Sequence, residues 1–284
     1  MRSNLTQWTV HMDRRSTTTG LISVLMLAFS ACEKVVTIDL NKADPRTVIE
    51  GVVTDQPGPD SVFVSKSGDY FEPTLYFPPI PGAFVSISDD LGNSDTLQEV
   101  KEGTYVGSRI QGAPGRMYTL KVVAEGKEYD AVSSMPTKVR IDSLYATPLR
   151  EFDGDRGYNL YVVFRDPPEP GNYYRINLRV NKPLPPDSIT GQRYRLFSDK
   201  LTNGNQVTLR LRTGRSVITG DTVQVDLLSI DKASYEYFRT LNNILTSDRA
   251  PTSLAPANPN TNLSNGSLGY FSAYTIHSKT IVLK

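Results

Sequence analysis

The sequence predicts a mainly β protein: two β-sandwich domains in series, with a single helix in the second. Three observations carry this. Apolar residues alternate with polar ones in short runs along most of the chain, the period of a half-buried strand. Glycine (20) and proline (19) punctuate those runs, and tyrosine, a strand-favouring residue, is abundant at 15. Only one stretch, Asp231–Leu245, repeats its apolar residues at helical spacing.

Ahead of the strands lies Leu21–Cys32, LISVLMLAFSAC. Arg14 and Arg15 supply a positive n-region, the apolar run is too short to span a bilayer comfortably, and Ser30 and Ala31 directly precede Cys32. That is the layout of a secretory signal. A cysteine placed after small residues points to lipoprotein processing: cleavage before Cys32, with acyl chains of the palmitate kind on the new terminus. Phe29 stands where such signals usually carry leucine. The plainer readings are an ordinary cleaved signal with an incidental cysteine, or a buried N-terminal helix. Cys32 is the only cysteine, so acylation leaves no free thiol in an oxidising compartment. Each buried methylene contributes about 0.8 kcal/mol, so several chains make a stable membrane anchor.

The domain plan is therefore a signal peptide over 1–31, with Met12 as an alternative start, and a lipidated cysteine and tether over 32–45. A first sandwich follows over 46–136, then a second β-rich domain over 137–284 with a helix at 231–246.

In the first domain, Arg46–Val53, Ser61–Ser65, Ala83–Ser88, Thr96–Val100 and Thr104–Ser108 read as strands, with turn chemistry at Asp89–Asn93 and Glu102–Gly103. Met117–Ala124 and Glu128–Ser133 form a hairpin across Glu125-Gly126-Lys127, where Gly126 accepts a positive φ. About seven short strands without a helix fit a sandwich of immunoglobulin or transthyretin-like type.

In the second domain, of fibronectin-III-like type, Val139–Leu144, Tyr158–Phe164, Asn172–Val180, Gln206–Arg212 and Thr222–Ile230 are strands. Val207, Leu209 and Leu211 face one way and Arg210 and Arg212 the other, the pattern of a half-exposed strand rather than a basic site. Asp231 is placed to cap the helix, whose face of Tyr235, Phe238, Leu241, Ile244 and Leu245 packs on the second sheet. The Pro/Asn/Ser-rich stretch 250–265 is an exposed loop. Gly266–Tyr274 returns the chain, with Tyr270, Phe271 and Tyr274 as core, and Thr280–Leu283 closes it.

Composition excludes more chemistry than it suggests. Charge is nearly balanced, with 31 basic and 30 acidic residues and no Lys/Arg stripe, so no nucleic-acid partner is expected. Beyond the signal, His277 is the only histidine, and it lies in a strand-like stretch. A Ser-His-acid triad has no other base, and zinc lacks ligands. No phosphate-cradling loop or GxSxG elbow occurs. Asp89-Asp90 with Asn93 and Asp95, and Asp153-Gly154-Asp155, offer oxygen-rich spacing for calcium. Neither fits the twelve-residue EF-hand loop, and both read as acidic turns. No cofactor, metal or catalytic residue is expected. The contact candidate is the loop 69–82, where Tyr70, Phe71, Tyr76 and Phe77 stand among four prolines. Such rings either meet a partner or fold back to cap the sandwich.

The segments RTVIEGVV, PGAFVSISDD, RIDSL and NGSLGYFSAYTIHSKTIVL, together with the cysteine signal, resemble the DUF4249 family of Bacteroidota lipoproteins. That resemblance covers essentially the whole mature chain. It implies an outer-membrane location and a role beside TonB-dependent receptors in envelope uptake; it implies no activity and no functional residues. The leading expectation is a non-enzymatic accessory or binding lipoprotein, held at the outer membrane through Cys32, on its periplasmic or cell-surface face. The alternative is a glycan- or peptide-active protein, against which the lack of tryptophan after Trp8 counts.

Overall fold

The computed structural model describes residues 44–68, 77–149, 157–181, 193–212, 217–247 and 258–284. These form a mainly β protein with one helix. In chain order the strands are β1 (Thr47–Thr54), β2 (Asp60–Lys66), β3 (Phe84–Asp89), β4 (Ser94–Thr96), β5 (Gln98–Lys101), β6 (Thr104–Gly107), β7 (Met117–Ala124) and β8 (Lys127–Ser134). There follow β9 (Ile141–Pro148), β10 (Tyr158–Arg165), β11 (Tyr173–Val180), β12 (Arg193–Ser198), β13 (Gln206–Leu211), β14 (Thr222–Ile230), helix α1 (Lys232–Ser247) and β15 (Leu268–Val282).

One eight-stranded sheet, in the order β12-β11-β14-β15-β1-β2-β6-β5, backs both halves of the fold. The four-stranded sheet β4-β3-β7-β8 faces one half and the three-stranded sheet β13-β10-β9 the other. Alternation along strands such as β1, β7 and β13 sends one side chain in two to the interior. The first core gathers Ile49, Val62, Val64 and Phe271 against Val85, Leu120, Val122 and Tyr129. The second gathers Tyr174, Ile176, Val225 and Leu227 against Leu160, Val162, Phe164 and Leu209.

The joint between the halves is β15. Leu268–Tyr274 runs parallel to β1, and Thr275–Val282 then runs antiparallel to β14. What sequence reasoning separates as a returning segment and a closing strand is one strand of 15 residues, and its first half completes the sheet of the first core. The change of partner leaves backbone groups that β1 no longer reaches, and buried amides need acceptors. Asp55, just past β1, supplies one: its Oδ1 accepts the Ile276 N–H at 2.9 Å, while Lys138 pairs with Oδ2 at 2.5 Å. Gly269 sits at φ 96° with Ile49 O only 2.0 Å from where a Cβ would lie, so a side chain there is excluded by backbone.

Other local expectations resolve in the same terms. β7 and β8 are joined by a two-residue turn in which both Glu125 (φ 51°) and Gly126 (φ 74°) are left-handed, the conformation that matches strand twist. β12, the sequence RYRLFS, carries too little alternation to stand out by pattern, yet it forms the edge of the large sheet beside β11.

Candidate binding cleft

Helix α1 lies on the outer face of the large sheet, against β11, β12 and β15. Asp231 fixes where it starts. Its Oδ1 accepts the Ser234 N–H at 2.8 Å, an N-cap bond. Its Oδ2 accepts the Ser133 hydroxyl at 2.7 Å, and Ser133 Oγ in turn accepts the Ala273 N–H at 2.8 Å. One carboxylate thus ties the helix to β8 and, through Ser133, to β15.

The face that α1 buries differs from the expected one. Tyr237 and Phe238 are its deepest rings, whereas Leu245 is 39% exposed. Both rings meet Tyr270 of β15, with centroids 4.8 and 4.9 Å apart, and Ser234 Oγ bonds Ser272 Oγ at 2.7 Å. Tyr270 is therefore packed beneath the helix, on the opposite face from Phe271, which is core.

Beside them, Tyr174, Ile176 and Leu178 of β11 turn inward, so Arg175 and Asn177 turn toward α1. The Arg175 guanidinium lies 4.1 Å from the Phe238 ring centre and 4.5 Å from that of Tyr194. A desolvated cation between two rings contributes roughly 1–2 kcal/mol. Burial raises the Tyr194 hydroxyl above its ordinary range, opposed by the Arg175 charge. Glu50, across from Tyr270 on β1, keeps an exposed edge but is crowded by protein. That desolvation raises its carboxyl, again opposed by Arg175. Three fully buried polar atoms of this patch, Arg175 Nε, Asn177 Oδ1 and Tyr194 OH, have no hydrogen-bond partner among the described residues.

The patch borders a cleft of about 520 Å³ at the open edge of the second half. Ile176, Leu178, Leu196 and Leu211 form its apolar walls; Tyr194, Asn242 and Asn243 add polar groups. Arg195, Arg212 and Arg239 stand at its rim, and among the described residues no acidic one lines it. Arg239 is held by Glu236 through bonds of 2.8 and 2.6 Å. Arg195 Nη1 donates to Arg210 O at 2.7 Å, bridging the two sheet edges. Neither Arg195 nor Arg212 has an acidic partner among the described residues. β13 ends at Leu211, which releases Arg212 from the strand alternation expected of it and places it at the rim.

The residues singled out by sequence fall elsewhere. Cys32, Tyr70, Phe71, Tyr76, Asp153 and Asp155 lie outside the described residues. Phe77 is 44% exposed, and its ring faces Gly68. His277 Nδ1 accepts the Ile141 N–H at 3.1 Å. Burial first, then Arg140, Lys138 and Lys279, hold its pKa below the ordinary value, so it is a neutral structural acceptor. Asp89 accepts from Leu91 N, Asn93 N and Asn93 Nδ2, and Arg116 pairs with both Asp89 and Asp90. Asp95 turns inward instead, accepting from Ser108 N and Arg109 N at 2.7 Å each. Those carboxylates organise their own turn.

The family model described as a domain of unknown function, DUF4249, matches residues 33–280. No curated protein matches the sequence.

Proposed function

The chain belongs to the DUF4249 family, and on that premise we propose that it is a non-enzymatic binding lipoprotein of the cell envelope. It is anchored through acylated Cys32 at the outer membrane and serves as an accessory or binding subunit of a TonB-dependent transport system. The observation behind the binding role is the arginine-rimmed cleft beside α1, a concave site that joins an apolar wall to a polar rim. The anchor reading is supported by the Leu21–Cys32 signal, and among the described residues no helix is long and apolar enough to cross a membrane. The test of the transport role is affinity purification of the tagged protein from gently solubilised outer membranes of its host. A TonB-dependent receptor should co-purify in comparable amount; its absence from a preparation that retains other receptors would contradict the assignment.

A second reading, glycan binding, has one observation in its favour. Tyr145 and Tyr161, opposite each other on β9 and β10, stack with centroids 5.1 Å apart, and Tyr145 is 40% exposed. Retarded migration in a polysaccharide-containing native gel, lost in Tyr145→Ala, would favour it.

A further inference from the structure

We propose that the cleft takes a small organic anion: a carboxylate or phosphate group at the rim arginines, carried on a compact apolar body that rests on the leucine-lined wall. The inference rests on the reading of this protein as a binding subunit and names the class of ligand.

Charge comes first. Three guanidinium groups rim the cleft and no carboxylate of the described residues lines it, in a chain whose charges nearly cancel. Arg195 and Arg212 carry no acidic partner among the described residues, so an oxyanion meets donors not already engaged by a counter-charge. Guanidinium forks bind carboxylate or phosphate through paired N–H donors, and a low-dielectric wall strengthens the attraction. A cation is repelled by this rim, and a neutral ligand gains hydrogen bonds there without the charge attraction.

The walls set the second half of the specificity. Leu178 and Leu211, both second-core residues, reach the cleft, so its depth is apolar while its mouth is charged. A volume of about 520 Å³ lies within the range of small-molecule sites. Tyr194 lines the same space, and its buried hydroxyl has no partner among the described residues. A buried hydroxyl without a partner is costly, and a ligand oxygen within its reach removes that cost. The Tyr194 ring is meanwhile fixed by Arg175 and Phe238, so the hydroxyl is preorganised rather than recruited on binding.

The experiment is calorimetric titration of the full-length protein with four probes: 3-phenylpropionate, phenyl phosphate, 3-phenylpropanol and inorganic phosphate. At least one of the two aryl anions should bind, and which one is tighter identifies the headgroup. The neutral alcohol and bare phosphate should each bind roughly tenfold more weakly, having lost the charge or the apolar body. Arg212→Gln and Arg195→Gln should each reduce affinity by about tenfold, and Tyr194→Phe by a few-fold, without lowering the melting temperature appreciably. The proposal is overturned if neither anion binds, if the alcohol or inorganic phosphate binds as tightly as the aryl anions, or if both arginine variants titrate like the wild type. Loss of anion binding would leave the membrane-anchored accessory role standing. Failure of receptor co-purification would leave the cleft chemistry standing.

Discussion

Gly51 of β1 and Phe271 of β15 face each other in the parallel pairing, and the Phe271 ring fills the place of the side chain that residue 51 lacks. A Cβ at 51 would lie 3.0 Å from Phe271 Cδ2 and 3.3 Å from both Leu120 and Val62 side chains. The first core is therefore closed by a ring delivered from the far end of the chain, and a glycine makes room for it.

Gly51→Ala should cost about 1–3 kcal/mol by overpacking. Phe271→Ala should cost about 3–5 kcal/mol by leaving a cavity. The double variant should be less destabilised than the two changes added together, by at least about 0.5 kcal/mol, because the new methyl occupies part of the space the ring vacates. Urea unfolding of the four proteins checks this, and strict additivity would show that the two residues do not share that space.

Asp60, at the start of β2, provides a pH-dependent test of the same core. It is only 5% exposed, and burial pushes its carboxyl up to about 6, against the Thr54 N–H bond that lowers it and with the Asp95 charge that raises it further. The folded chain thus holds this proton more tightly than the unfolded chain, where the group titrates near 3.8. The group's contribution to stability is fully present below the unfolded pKa and is lost as pH rises through the folded one. Asp60→Asn keeps an acceptor for Thr54 N and removes the charge. It should stabilise the protein by about 1–2 kcal/mol near pH 7.5, within the limit a two-unit shift allows. The advantage should vanish near pH 4. An advantage independent of pH would contradict the assignment.

Much of this architecture is legible in the sequence because half-buried strands leave a period of two. QVTLRL, MYTLKVVA and YYRINLRV each appear where alternation places them. β12 is not legible, since an edge strand exchanges hydrogen bonds on one side only and RYRLFS shows no clean apolar face. Nor is the unity of β15, where Ser278 and Thr280 interrupt the apolar pattern. Ser278 Oγ donates instead to Asp226 at 2.6 Å, a bond made across strands and invisible in one dimension. The cleft escapes for a similar reason: Leu178, Arg195, Arg212 and Arg239 meet only because two sheet edges and a helix converge. On α1, the apolar stripe is wide enough that helical spacing alone does not rank Tyr237 above Tyr235.

The most direct measurement of the central claim is membrane fractionation of the wild type against Cys32→Ala, followed by mass spectrometry of the N-terminal peptide. The wild type should sediment with outer membranes and carry an acylated Cys32 as its first residue. The variant should appear in the soluble fraction or persist as an uncleaved precursor. A variant that fractionates with outer membranes just as the wild type does, or a wild-type Cys32 found as an unmodified thiol, would contradict the account.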